Sequence, residues 1–163
     1  MQLWVKIKNH FFNAFRELFV YNHGSLEFRA KILALMISAN EEFNADDCEI
    51  INKIGENIYK DDPKRVNLLF LSTKELVKKV NDDNGLDIDT LIANIQKELR
   101  FVPRYAKKID IEPLREIVSL SKNEDIIAYQ NSILEFLETL KEETLNTKQS
   151  QIKKDEENLV SKY

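Results

Sequence analysis

The chain has 163 residues, with only three glycines, three prolines and one cysteine. So few turn-formers argue for long helices with few connections, and a single cysteine excludes an intramolecular disulfide. A formal charge of -4 and a pI near 5.4 argue against a nucleic-acid partner, because phosphate contacts need a basic surface.

Residues 1–22 read as one amphipathic helix. Trp4, Ile7, Phe11, Phe15 and Leu18 recur at helical spacing, and Phe12 and Phe19 widen the stripe. Lys6, Lys8, Asn9 and His10 interrupt any signal-peptide core, so the expected compartment is the cytoplasm. No apolar run reaches the length of about 18 residues that a transmembrane helix needs. Aromatics flanked by lysines suit two settings: packing onto the chain's own core, or a partner or inner-membrane surface. In the second setting Trp4, Phe11 and Phe15 would sink into the surface, and Lys6 and Lys8 would meet anionic groups.

Ser25 is a plausible N-cap for the next helix, Leu26 to about Ala39. That helix is apolar nearly all round from Ile32, which marks it as the central, buried one. The stretch "NEEFNADD" (40–47) follows, with four carboxylates and two asparagines. Asn44 can cap a third helix whose inward stripe is Cys48, Ile51, Ile54 and Ile58. Asp62 as cap and Pro63 in the first turn open a fourth helix, which runs to about Val80 on Val66, Leu69, Phe70, Leu76, Val77 and Val80. "NDDNG" is a strong turn signal. Asp87 or Asp89 then caps a fifth helix carrying Ile88, Leu91, Ile92, Ile95 and Leu99. "FVPRYAKKID" reads as an irregular connection, with a small basic cluster in "RYAKKID". Pro113 opens a sixth helix on Leu114, Ile117, Val118 and Ser121. The last clear helix spans about Ile126 to Leu140 on Ile126, Ile133, Leu134, Leu137 and Leu140. Residues 141–163 are charged and weakly periodic, and read as a helical extension, a linker or a disordered tail. The fold class is all-α, a bundle of about seven helices.

An internal repeat relates two of the turns. "ANEEFNADDCEIINKI" (39–54) aligns without gaps on "KNEDIIAYQNSILEFL" (122–137). Asn40 and Glu41 match Asn123 and Glu124, Glu42 meets Asp125, and Ile50, Ile51 and Ile54 meet Ile133, Leu134 and Leu137. Both copies follow an apolar helix and open another, which implies two related helical hairpins with approximate twofold symmetry.

An apolar helix, a turn of the form Asp-Gly-x-Ile-Ser/Thr-x-x-Glu and a second amphipathic helix, occurring twice, resembles the TerB-like (tellurite-resistance protein B) family. Asn40 stands in the Asp place, Glu41 in the Gly place, Phe43 in the Ile place, Asn44 in the capping place and Asp47 in the Glu place. In the second copy Asn123, Glu124 and Ile126 correspond, while Ile127 and Gln130 lose the cap and the acid. The resemblance covers residues 25–140. It implies an all-helical domain with an acidic face that binds divalent ions or protein partners. The family also occurs in DjlA-type membrane co-chaperones, where a membrane-associated segment precedes the domain, as the aromatic segment does here. The His-Pro-Asp signature of a J domain is absent, so activation of a chaperone ATPase by this chain alone is not expected. The partner classes that follow are a protein, a peripheral membrane contact or a second copy in a homodimer.

Two readings of "NEEFNADD" stand side by side. As an ion site, Glu41, Glu42, Asp46 and Asp47 with Asp125 would hold Ca²⁺ or Mg²⁺, which take oxygen ligands. As a capped turn, Asn44 accepts from the helix start and the aspartates favour the positive end of the dipole. "VNDDNGLDID" is no EF-hand, since aligning Gly85 with the loop glycine puts Val80 and Leu91 at ligand positions. His10 and His23 are remote in sequence from Cys48, and no nucleophile–base pair can be nominated. The expected function is therefore non-enzymatic: an interaction or regulatory module linked to a co-chaperone system or stress response. A divalent-cation sensor is the alternative.

Overall fold

The computed structural model describes residues 24–40, 43–82 and 86–161. Among them every regular element is helical: α1 (Gly24–Ile37), α2 (Ala45–Ile58), α3 (Pro63–Asn81), α4 (Ile88–Phe101), a 3₁₀ helix (Pro103–Lys108), α5 (Ile111–Ser119) and α6 (Glu124–Val160). The all-α expectation holds for these residues. The aromatic N-terminal segment lies outside them, with Trp4, Lys6, Lys8, Phe11 and Phe15.

α1 is the centre of the bundle. Ile32 to Ile37 are all buried, as the absence of a polar face requires. α3, α4, α5, α6 and the 3₁₀ helix all pack against it. Phe28, Leu35, Met36 and Ile37 are among its fully buried side chains, and burial of each contributes about 1.5–3 kcal/mol. Lys31, near the middle of α1, is half-buried and pairs with Glu98 on α4 at 3.0 Å.

Several local expectations need correction. Ser25 lies inside α1 and is not its cap. The inward stripe of α2 is Asp47, Ile50, Ile51, Ile54 and Gly55, while Cys48 is only half-buried. The helix is thus rotated toward Asp47, whose carboxylate accepts from Asn40 and Asn44. α3 buries Ser72 and Thr73 along with Leu69 and Val77. Both hydroxyls return to carbonyls one turn back, so their burial leaves them paired. The "irregular" connection contains the 3₁₀ helix, with Ala106 and the following Ile109 fully buried. α5 begins at Ile111, two residues before Pro113, and Ser121 lies beyond its end. α6 begins at Glu124 and continues to Val160, so of the readings open for residues 141–163 the helical extension holds as far as Val160. From Gln151 onward its described residues are exposed.

Candidate functional site

The end of α1 organises the site. A helix leaves its last four carbonyls without intrahelical partners, and here all four are met. Ser38 N donates to Ala34 O at 2.9 Å, and Asn40 N to Ile37 O at 2.9 Å. Tyr129 Oη of α6 donates to Leu35 O at 3.4 Å. Gln130 Nε2, also of α6, donates to Met36 O at 3.0 Å. Two of the four partners therefore come from the distant helix, and α6 is held against the turn that follows α1.

That turn carries a reciprocal cap. Asp47 N donates to Asn44 Oδ1 at 2.9 Å, and Asn44 N donates to Asp47 Oδ2 at 3.1 Å. This is a capping box with Asp in place of the usual Glu or Gln. Asn40 adds a third element, its Nδ2 donating to both Asp47 oxygens at 3.1 and 3.3 Å. Asn81, at the end of α3, holds Asn40 in turn through its carbonyl. Phe43 packs edge-on to Phe70 of α3, with centroids 6.0 Å apart. Asp47 is 2% exposed. Desolvation pushes its pKa above the ordinary carboxylate range, and the hydrogen bonds from Asn44 and Asn40 offset part of that rise.

The second turn uses the same residue types differently. Asn123 itself caps α6, accepting from Asp125 N at 2.9 Å and Ile126 N at 3.4 Å. The cap expected to be missing at Ile127 is thus supplied one turn earlier. Gln130, which aligns with Asp47 in the repeat, is 1% exposed. Its Oε1 is buried with no hydrogen-bond partner. An orphaned buried acceptor costs about 1–3 kcal/mol.

The two turns open on one cavity of about 730 Å³. Asn40, Asp46 and Asp47 line it from the first turn, and Asn123, Asp125 and Gln130 from the second. Lys122 adds a cation to the lining. Of the proposed ion ligands, Asp46, Asp47 and Asp125 are brought together around this space. Glu41 and Glu42 lie outside the described residues. Among the described residues no group of three acidic, histidine or cysteine side chains forms that could hold a metal ion. Sequence alone does not mark Asn40, Asn123, Lys122 and Gln130 as site residues. The repeat was the available signal, since it sets Gln130 opposite Asp47.

The other candidates resolve into structure. Asp87 caps α4, accepting from Thr90 N at 2.6 Å, as the turn reading of "VNDDNGLDID" requires. Arg104, in the basic cluster, lies over the Tyr105 ring at 5.7 Å. No family model, curated protein sequence or solved structure matches the chain.

Proposed function

We propose that the chain is a non-enzymatic, TerB-like interaction module, built from two related hairpins with approximate twofold symmetry. The observation that supports this reading is the meeting of both repeated turns at one polar cavity, beside the end of the central helix. The proposal sets the module next to a membrane through Trp4, Phe11, Phe15, Lys6 and Lys8, in a co-chaperone or stress-response assembly. A photo-crosslinking side chain in place of Lys122, at the cavity, tests the interaction. It should give a discrete protein adduct that excess unmodified chain competes away. The same group in place of Lys153, on the exposed half of α6, should not. Identical adducts from both positions would refute the reading. For the membrane contact, the full chain with Trp4→Ser, Phe11→Ser and Phe15→Ser should float less with anionic vesicles than the native chain.

A divalent-cation site is the second reading, supported by Asp46, Asp47 and Asp125 lining the same cavity. At about 100 times its dissociation constant, Ca²⁺ or Mg²⁺ would stabilise the chain by roughly 2.7 kcal/mol. Thermal unfolding with the ion against a chelator, on the native chain and on Asp46→Ala/Asp125→Ala, should show a rise that the variant loses. Superimposable melts remove this reading.

A further inference from the structure

One end of the bundle gathers cations on a chain whose formal charge is -4. Residues 97–108, spanning the last turn of α4 and the 3₁₀ helix, hold five basic side chains and one acid, Glu98. That acid is taken by Lys31 of α1 at 3.0 Å. Lys97, Arg100, Arg104 and Lys107 are exposed, and none of them pairs with an acid among the described residues.

Helical spacing explains the grouping. Leu91, Ile95 and Leu99 are the buried face of α4. Lys97, Arg100 and Phe101 stand at i, i+3 and i+4 on the opposite face. In a 3₁₀ helix three residues complete a turn, so Arg104 and Lys107 lie one above the other.

Two further observations say what this surface meets. The first is apolar. Phe101, among the cations, is 76% exposed. Arg100 also borders a groove of about 580 Å³ whose apolar lining is Leu99, Pro103, Leu140 and Ile152. Cations beside exposed apolar surface match an amphiphile, with anionic headgroups for the one and acyl chains for the other. The second observation is where the aromatic segment joins the bundle. Gly24 sits so close to the 3₁₀ helix that a Cβ built on it would stand 2.5 Å from the Tyr105 hydroxyl. Phe28 packs on the same ring, with centroids 5.3 Å apart. Residues 1–22 therefore leave the bundle beside Arg104, the neighbour of Tyr105.

We infer that this end of the molecule docks on an anionic lipid bilayer. Phe101 enters the interface, and Lys97, Arg100, Arg104 and Lys107 meet the headgroups. The inference rests on the membrane reading above and adds to the aromatic segment a second contact, made by the folded bundle itself.

The test uses the full chain and vesicles of phosphatidylcholine, with or without an equal share of phosphatidylserine. The native chain should float with the anionic vesicles and not with the neutral ones. Each cation near an anionic surface strengthens binding by a factor of about five. Arg100→Gln/Arg104→Gln should therefore weaken it at least about tenfold. The same charge change at two exposed lysines of α3, Lys64→Gln/Lys78→Gln, should cost much less. Trp4 is the one tryptophan of the chain, so Trp4→Phe/Phe101→Trp carries its fluorophore in the patch. On anionic vesicles its emission should shift to the blue and be quenched by lipids brominated along the acyl chain. Equal losses from the arginine and lysine pairs, or an unquenched tryptophan on bound vesicles, overturn the inference. An unquenched tryptophan whose emission instead responds to poly-glutamate would give the patch to an acidic protein. If the arginine pair floats like the native chain while Trp4→Ser/Phe11→Ser/Phe15→Ser floats less, the aromatic contact stands and only the patch falls. If neither variant changes flotation, both fall.

Discussion

Asp47 shows how a single carboxylate is placed by its neighbours. Acids near a helix start are expected from the dipole, and the sequence places Asp47 there correctly. Its burial was not legible, because it depends on Asn40 folding back onto the carboxylate across the turn, which no periodicity reports. Burial raises its folded pKa above the ordinary value of 3.8, so the folded chain holds this proton to higher pH than the unfolded chain does. Its contribution to stability is complete below the unfolded value and is lost as pH rises through the folded one. Asp47→Asn keeps the shape and an acceptor for Asn44 N but removes the titration. Urea unfolding from about pH 4 to 7 should therefore show the variant gaining on the native chain as pH rises. A difference independent of pH would mean that the carboxylate is not desolvated.

At the scale of elements, α2 and α3 are joined through Gly55. A Cβ built there would stand 3.1 Å from Val66 Cγ1 and 3.5 Å from Val66 Cα. Gly55→Val should cost about 1–3 kcal/mol by overpacking. Gly55→Ala should be milder, because the helix gains about 1 kcal/mol of propensity against the same contact. Chemical denaturation of both variants checks the order. The helix starts at Asn44, Asp62 with Pro63, and Asp87 were legible, since these residues carry their own capping chemistry. The continuation of α6 was legible only as one of several open readings. Hydrophobic periodicity reports a buried face, and past Leu145 that face disappears while the backbone remains helical. Glu, Lys, Gln and Leu are good helix formers there without any core to face.

For the whole molecule, α6 is the element with two characters. Its 37 residues make a rod of about 55 Å, buried on one side at Gln130, Ile133, Leu134 and Leu137. Further along, Ile152, Leu159 and Val160 are exposed. Amide hydrogen exchange should therefore step within one continuous helix, with strong protection up to about Leu145 and near-local protection beyond. Uniform protection along α6 would show that its second half is covered in solution. The candidate site was half legible at this scale. The repeat paired the two turns in sequence, but only the packing of α6 across the end of α1 brings them to one cavity. That packing also sets an order of events. Tyr129 and Gln130 finish the last turn of α1 from 94 positions away. During synthesis α1, the centre of the bundle, is made before α6, and two of its carbonyls wait for their partners until α6 has followed.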